Sequence, residues 1–282
     1  MRVLFLSILS FFIISNSSFS QEKKEKENNN SVYTGLKFRS IGPALMSGRI
    51  SDIIIHPKNE NLWYVTAGSG GVWKTENSGT TWNPIFDSQK SYSIGCISMD
   101  PQNNNVLWVG TGENVGGRHV GYGDGIYKSE NGGQTWSIKG LNNSEHISKI
   151  IIHPNNSDVL WVASQGPLWS KGGDRGVYKT VDGGKTWQRK LGDDKWIGAT
   201  DLLIDSRNPD VLYAATWQRH RTVAGYMGGG PGTAIYKSTD GGENWQKLTK
   251  GLPKSNMGKI GLAMSYQNND IIYAAIELDR RT

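Results

Sequence analysis

The chain has 282 residues, and 31 Lys and Arg residues against 25 Asp and Glu residues give a formal net charge of +6. The basic residues are scattered and form no block, which argues against a nucleic-acid-binding segment, and we predict no nucleic-acid partner. The single cysteine, Cys96, excludes an internal disulfide. The 36 glycines, the short apolar runs and the near absence of helical periodicity predict an all-β fold.

The N-terminal segment predicts an export signal followed by a spacer. Met1-Arg2 precedes an apolar run over residues 3–14 and then mostly small polar residues up to Ser20. This pattern predicts a cleavable signal peptide over residues 1–20, cut after Ser20, and hence a secreted or periplasmic protein. The alternative, a retained membrane anchor, is disfavoured because the apolar run is shorter than the roughly 20 residues that span a bilayer. No membrane span is therefore expected after cleavage, and the polar, charge-balanced residues 21–32 predict a flexible spacer.

One short sequence motif occurs four times and recurs about every 50 residues, which predicts a repeated architecture. Each copy begins with Lys and ends with Trp, and the copies follow the Asp-box pattern S/T-x-D/N-x-G-x-T/S-W, with Asn in place of Thr or Ser in the fourth. In this pattern the Asp or Asn accepts hydrogen bonds from the turn backbone, the Gly adopts a positive φ and the Trp packs over the turn. The Asp or Asn and the Trp of successive copies are Asn77 and Trp82, Asn131 and Trp136, Asp182 and Trp187, and Asp240 and Trp245.

Each complete unit contains four short segments that predict strands. A first strand ends in a turn, a second carries an aromatic residue at a fixed offset, a third precedes the Asp-box and a fourth begins after its Trp. The second-strand aromatics are Tyr64, Trp108, Trp161, Tyr213 and Tyr273. Four antiparallel strands in about 50 residues predict a β-propeller blade. Residues 33–282 thus predict the N-terminal part of an incomplete propeller, with four blades and a partial fifth, and we expect the remaining blades of a longer chain as its partner.

Several motifs besides the Asp-boxes carry a resemblance to a known family. They are Ser40-Ile-Gly-Pro43, Ser47-Gly-Arg-Ile50, Gly110-Thr-Gly-Glu-Asn114, Tyr122-Gly-Asp-Gly-Ile-Tyr127 and Gly173-Asp-Arg-Gly176. With these motifs, residues 35–282 resemble the sortilin-like and BNR (Asp-box) propellers, in particular the exported bacterial type that is labelled glycosyl-hydrolase-like. The resemblance implies the propeller fold. It leaves the function open, because sialidases, xyloglucanases, sortilins and a photosystem assembly factor share the Asp-box.

Strand direction places the Asp-boxes, which join strands 3 and 4, on the face opposite the loops that join strands 2 and 3. Those loops are long and irregular in blades two to four, and such loops on a rigid scaffold are where a binding site is expected. Their aromatic, Arg, Asn and Gln residues suit a glycan or a peptide ligand, and the alternative for each residue is that it only holds its own loop in place. The predicted ligand-binding residues are Arg49, Glu113, Asn114, Arg118, Tyr122, Trp169, Arg175, Trp217, Gln218, Arg219 and Arg221. No metal site and no cofactor are predicted.

A glycoside hydrolase with its acid and base partly in absent blades is the alternative hypothesis, and a protein-assembly scaffold is a second one. A sialidase-like site is disfavoured, although five loop arginines could cluster, because Arg49-Ile50 lacks the following proline of the sialidase signature and no Tyr–Glu pair can be placed. Resemblance to the xyloglucanases implies an aspartate where Gly68 stands, which argues against direct inheritance of their mechanism. Glu113 and Asp174 remain as a candidate acid/base pair.

Overall fold

The structure, a computed structural model, describes residues 48–193 and 195–278. The predicted signal peptide (1–20) and spacer (21–32) lie outside the described residues. Within the described ranges every regular element is a β-strand, which confirms the all-β prediction. The same ranges contain no helix with the length and apolar character that crossing a membrane requires.

The strands form four four-stranded antiparallel sheets, which we call blades 1 to 4. Blade 1 comprises β1 (Ile50–His56), β2 (Asn59–Ala67), β3 (Gly71–Thr75) and β4 (Asn83–Pro84). Blade 2 comprises β5 (Ile94–Met99), β6 (Leu107–Thr111), β7 (Ile126–Ser129) and β8 (Ser137–Ile138). Blade 3 comprises β9 (Ile147–His153), β10 (Asn156–Ser164), β11 (Gly176–Thr180) and β12 (Gln188–Leu191).

Blade 4 carries an extra hairpin between its second and third strands. It comprises β13 (Ile197–Asp205) and β14 (Asn208–Gln218), the hairpin strands β15 (His220–Arg221) and β16 (Tyr226–Met227), and then β17 (Ile235–Ser238) and β18 (Gln246–Lys247). A two-stranded sheet follows, which we call the fifth unit, with β19 (Met257–Met264) and β20 (Ile272–Leu278). The prediction of four blades and a partial fifth is therefore confirmed.

The first strands of successive blades lie side by side, and the apolar core lies between neighbouring blades. The Asp52 carboxylate in β1 accepts a hydrogen bond from Ile97 N in β5 at 3.2 Å. Ser98 Oγ in β5 donates to Ile150 O in β9 at 2.7 Å. A carboxylate in β13 accepts from a backbone N in β19 at 2.8 Å, as Asp52 does from β5. Each of the three largest apolar clusters draws its buried side chains from two consecutive blades. The hydrophobic effect therefore stabilises the association of blades as well as each blade.

The Asp-box turns have the geometry that the sequence pattern predicts. In blade 3, Thr180 Oγ1 donates to Asp182 Oδ1 at 2.7 Å, and the same carboxylate accepts from Thr186 N at 2.9 Å and from Thr186 Oγ1 at 2.6 Å. The hydrogen bond from the Thr186 hydroxyl is the largest of the causes that hold the pKa of Asp182 well below its ordinary value. The two residues after the aspartate, Gly183 and Gly184, have φ angles of 68° and 80°, which glycine adopts without steric cost.

The second-strand aromatics of blades 1 to 3 contact the Asp-box turn of the next blade. Tyr64 Oη donates to Gly132 O at 3.3 Å, and Trp161 Nε1 donates to Gly241 O at 2.9 Å. Trp108 packs against the equivalent turn of blade 3, so closely that a Cβ on the second glycine there would lie 2.9 Å from its indole ring. All three rings are fully buried. In blades 3 and 4 the aromatic of the preceding blade therefore requires glycine at the second of these two turn positions.

The Asp-box tryptophans of blades 2 and 3 connect blades in the opposite direction. Trp136 Nε1 donates to Ile85 O of blade 1 at 2.8 Å, and Trp187 Nε1 donates to Lys139 O of blade 2 at 2.7 Å. These indoles are half-buried, because one face covers the turn and the other remains near solvent. Trp82 of blade 1 packs instead on Trp63 of its own blade, with ring centroids 6.5 Å apart. The Asp-box indoles of blades 2 and 3 are thus inter-blade contacts in addition to the turn cover that the pattern predicts.

We predict that Trp187→Ala lowers the free energy of unfolding by about 3 kcal/mol, because it leaves a cavity between blades 2 and 3 and an unpaired Lys139 carbonyl. Trp187→Phe should cost about 1 kcal/mol less than that, since the ring still packs. Trp82→Ala serves as the control and should cost about 1 kcal/mol, because its ring contact lies within one blade. Urea unfolding followed by circular dichroism measures all three, and equal losses for Trp187→Ala and Trp82→Ala would contradict the inter-blade role.

Candidate functional site

The loops between strands 2 and 3 share one face of the blades with the segments that cross from one blade to the next. Gly123 N in the blade 2 loop donates to Glu145 O in the crossing to blade 3 at 2.7 Å. Gly172 N donates to Lys195 O in the crossing to blade 4 at 3.2 Å. We call this side the loop face. The loops that form it span residues 68–70, 112–125, 165–175 and 219–234.

The blade 2 loop reaches blade 4 and the fifth unit. Three consecutive carbonyls of this loop, at residues 114–116, each accept a hydrogen bond from a cationic side chain. The pairs are Lys259 Nζ with Asn114 O at 2.5 Å, Arg219 Nη1 with Val115 O at 3.0 Å, and Arg221 Nη2 with Gly116 O at 2.8 Å. We call Arg219, Arg221 and Lys259 the cross-blade cations. They fasten a loop to side chains that follow it by more than a hundred residues.

Trp217 forms an apolar wall between two of the cross-blade cations. The Arg219 guanidinium carbon lies 5.2 Å and Lys259 Nζ 5.7 Å from the indole centroid, distances at which a cation is attracted to the ring. The indole is fully buried and donates to Gly228 O at 2.8 Å. The neighbouring Gln218 holds its own loop, since its Oε1 accepts from Gly232 N at 2.9 Å. Trp217 is therefore placed behind the surface that a ligand would contact.

Arg175 is buried and binds only backbone carbonyls of its own loop. It donates to Gly172 O at 2.7 Å, to Ser170 O at 2.6 Å and to Gln165 O at 3.0 Å, and it also donates to Pro167 O. Burial lowers the pKa of Arg175 to about 10, because the charged form loses its hydration. The blade 3 loop is thus closed around this arginine.

Glu113 and Asp174 lie in different surroundings, and no hydrogen bond or ion pair joins their carboxylates in the described part of the chain. Asp174 is half-buried, and its Oδ2 accepts from Asn143 N at 3.0 Å. This contact fastens the blade 3 loop to the crossing segment before it. Asp174 is therefore placed as a loop-holding residue, and a shared acid/base role with Glu113 stays a prediction.

Glu113 carries a buried carboxylate at the boundary of blades 1 and 2. The residue is 2% exposed, forms an ion pair with Arg49 and accepts from Gly121 N at 3.2 Å. Arg49 itself is exposed. A Cβ at Gly68 would lie 2.8 Å from Glu113 Cγ and would collide with the carboxylate. The Glu113 side chain therefore fills the space that any side chain at position 68 would need.

Two exposed tyrosines lie beside this ion pair. Tyr92 is 66% exposed and Tyr122 is 54% exposed, and Ser91 Oγ donates to Tyr122 O at 3.2 Å, which brings the two segments together. The Tyr122 ring lies 5.9 Å from the buried His146 ring. Sequence reasoning missed Tyr92 because only the strand 2–3 loops were searched, although the crossing segments belong to the same face. We call Arg49, Tyr92, Glu113 and Tyr122 the blade 1–2 patch.

The remaining predicted residues lie around the blade 2 loop or apart from it. Arg118 is exposed and donates to Val223 O, at the tip of the β15–β16 hairpin, at 3.0 Å. The Asn114 side chain accepts from Gln165 Nε2. Trp169 is half-buried in the blade 3 loop. In residues 48–193 and 195–278, no group of three or more His, Cys, Asp or Glu side chains could hold a metal ion.

Four-stranded blades, Asp-box turns on one face and irregular loops on the other define an Asp-box β-propeller. A family model named Sortilin-Vps10, and described as sortilin and neurotensin receptor 3, matches residues 124–281. This match covers more than half of the 282 residues. The chain therefore belongs to the Sortilin-Vps10 family.

Similar proteins of known name are xyloglucanases at low identity. The oligoxyloglucan-reducing end-specific xyloglucanase of Emericella nidulans is 23% identical over 230 residues, which cover 74% of this chain and 25% of that protein. The xyloglucanase of Hypocrea jecorina is 26% identical over 240 residues, which cover 77% of this chain and 27% of that protein. The chain thus spans about a quarter of the length of these relatives.

Solved structures with a similar fold are also enzymes of the GH74 class. An ancestral GH74 enzyme matches with a TM-score of 0.58 and 19% identity, over 86% of this chain and 32% of that one. The GH74 xyloglucanase from Xanthomonas campestris matches with a TM-score of 0.52 and 17% identity, over 70% of this chain and 29% of that one. At this identity the likeness concerns the fold, and it confirms the predicted incomplete propeller.

We predict that Gly68→Ala destabilises the chain by about 1–3 kcal/mol, because the new methyl group collides with the Glu113 carboxylate. The loss should be smaller in a Glu113→Ala background, where the space is free, and a double-mutant cycle measures this coupling. Gly261→Ala is the control, since a Cβ there meets no atom within 4 Å. A Gly68→Ala loss that is the same with and without Glu113 would show that the carboxylate lies elsewhere.

Proposed function

We propose that this chain binds a glycan on the loop face, at the blade 1–2 patch. The observation that carries the proposal is the pair of exposed tyrosines, Tyr92 and Tyr122, beside the Arg49–Glu113 ion pair. Exposed aromatic rings provide flat apolar surfaces that stack on sugar rings, and the charged pair provides both donors and acceptors for hydroxyl groups. The opposite face offers the repeated Asp-box turns, whose polar groups bond within each turn.

The named relatives support a glycan over a peptide as the ligand. Their names state that they act on xyloglucan, so a xyloglucan oligosaccharide is the first ligand to test. Because the chain spans about a quarter of their length, their activity comes to this chain only as part of the proposal. We also propose that the protein is exported to meet its ligand, which rests on the signal peptide predicted at residues 1–20. A protein-assembly scaffold is the competing function.

We predict that Tyr122→Ala weakens binding of a xyloglucan oligosaccharide about five- to tenfold, because one stacking surface is lost. Tyr266→Ala is the control, since Tyr266 is fully exposed to solvent but lies in a strand 1–2 turn on the opposite face. Isothermal titration calorimetry measures both variants. Equal weakening in the two variants, or no binding by the unaltered chain to any glycan in a panel, would contradict the proposal.

A glycoside hydrolase is the second candidate, and Glu113 is the observation that favours it. Resemblance to the xyloglucanases implies a carboxylate at position 68, and in this chain the Glu113 carboxylate lies against that position from the neighbouring blade. A buried carboxyl group beside an open face is the kind of group that protonates a glycosidic oxygen. The ion pair with Arg49 favours glycan binding over hydrolysis, because a carboxylate in an ion pair accepts hydrogen bonds from a ligand.

We expect the chain to bind xyloglucan oligosaccharides without hydrolysing them, and an assay of released reducing ends checks this. The hydrolase replaces the binding function if the chain releases reducing ends and Glu113→Gln lowers the rate by a factor of about 100 or more. Asp174→Asn is the control, because Asp174 holds Asn143 on the blade 3 side. Binding that is retained in both variants, with no release of reducing ends, supports the first proposal.

A further inference from the structure

The cross-blade cations are held without a carboxylate. In the described part of the chain, Arg219, Arg221 and Lys259 donate to backbone carbonyl oxygens, and none of the three lies within ion-pair distance of an acidic side chain. A carbonyl satisfies a donor but carries no net charge. Removing a cation from water is expensive unless a counter-charge accompanies it, so this arrangement leaves positive charge uncompensated.

The electrostatics of the cluster agree with this conclusion. Burial and then the nearby Arg175 lower the pKa of Arg219 to about 9, and burial and then Arg219 lower the pKa of Lys259 to about 8. The carboxylates that act on these two cations through space are Glu145, Asp201 and Glu277. These carboxylates raise the pKa values of both cations, but burial has the larger effect, because both pKa values still fall. An added anion would stabilise the charged forms.

Three polar atoms beside the same loop are buried and have no hydrogen-bond partner. They are Arg219 Nε, His146 Nε2 and Gln165 Oε1. The other polar atoms of these side chains hold the blade 2 loop, since His146 Nδ1 bonds to Glu113 O at 2.9 Å and Gln165 Nε2 donates to the Asn114 side chain. Of the three, Arg219 Nε is a donor that an anion can accept from, whereas Gln165 Oε1 and His146 Nε2, whose ring already donates through Nδ1, are acceptors that suit a hydroxyl group or an ordered water.

Holding the blade 2 loop in place does not by itself explain why the three side chains that hold it are cationic. A neutral donor can also hydrogen-bond to a backbone carbonyl, without the cost of burying charge. Arg118, which is exposed, adds a fourth cation at the outer end of the same loop. Charges in a poorly hydrated site also act over longer distances than charges in water, so the cluster attracts an anion that approaches from the loop face.

We propose that Arg221 and Lys259, with Arg118 at their rim and the charge of the buried Arg219 behind them, bind an anionic group of the glycan, either a carboxylate or a sulfate ester, so that the loop face selects acidic glycans over neutral ones. This inference rests on the proposed glycan-binding function and specifies the class of ligand. The tyrosines of the blade 1–2 patch stack on the sugar rings of either class. The cations act only on the acidic class.

The test compares an oligogalacturonide with a neutral xyloglucan oligosaccharide of similar length by calorimetry. We expect the acidic oligosaccharide to bind at least about tenfold more tightly at about 0.05 M salt, and this advantage to shrink at about 0.5 M salt, because salt screens the charges. Sulfate ion alone is the third probe. It should raise the melting temperature of the unaltered chain, since an anion that binds the folded state stabilises it.

The variants Lys259→Gln and Arg221→Gln remove one charge each and keep a hydrogen-bond donor for the loop. Each should reduce the preference for the acidic oligosaccharide about tenfold, because the affinity for the acidic oligosaccharide falls by more than the affinity for the neutral one. Lys247→Gln is the control with the same change in net charge, at an exposed position on β18. Two variants are used because Lys259 is half-buried and its replacement carries a risk of misfolding, which the melting temperature reports.

The outcomes separate the two proposals. Equal binding of acidic and neutral oligosaccharides overturns the anion site and supports glycan binding. An acidic preference that survives in both Lys259→Gln and Arg221→Gln overturns the assignment to these residues. Stabilisation by sulfate that the two variants lose, without binding of either oligosaccharide, supports the anion site and overturns glycan binding. If the chain responds to none of the three probes, both proposals are wrong.

Discussion

The packing of a second-strand aromatic against the Asp-box turn of the next blade is the contact on which the rest of the structure depends. Trp161 reaches the turn of blade 4 through its indole nitrogen, and a Cβ at Gly242 would lie 2.6 Å from that atom. The turn must therefore carry glycine, and the aromatic must stay at one offset. Trp108 packs on the blade 3 turn and Trp187 of blade 3 binds back to blade 2, so that the interface between blades 2 and 3 is closed from both sides. Because these contacts join neighbouring blades, the Asp-box motif and the second-strand aromatic recur together.

Rigid interfaces on the Asp-box face allow the loop face to be irregular. The blade 2 loop makes few regular hydrogen bonds of its own and is held by Arg219, Arg221 and Lys259 from other blades. Burying Arg219 costs free energy, and only a scaffold that packs strongly elsewhere can offset that cost. The apolar clusters between blades provide this stability. The repeated structural contacts thus lie on the face opposite to the one proposed for binding, as expected for a repeat scaffold whose loops vary from unit to unit.

The sequence was sufficient to predict the fold but only part of the site. The Asp-box motif and the aromatic at a fixed position of the second strand are local patterns, and they predicted the blades, the turns and the partial fifth unit. The partners of Arg175 and Arg219 do not follow from such patterns, because a loop arginine can donate equally to a ligand or to a carbonyl. Arg219 binds Val115, which is separated from it by 104 positions, and no pattern in either loop predicts that pair. The inter-blade hydrogen bond of Trp187 was missed for the same reason.

The relation between Gly68 and Glu113 shows why a missing motif residue does not mean an empty site. The sequence comparison indicated that a carboxylate was absent from blade 1, and the structure places a carboxylate from blade 2 against the same position. The backbone that carries it differs, so its partners differ as well: Glu113 is paired with Arg49 and accepts from Gly121 N. In this pairing the carboxylate accepts hydrogen bonds, which fits the proposed binding function better than the proposed hydrolase. The ion pair that distinguishes the two proposed functions thus involves Arg49, which sequence reasoning had grouped with the ligand-binding residues.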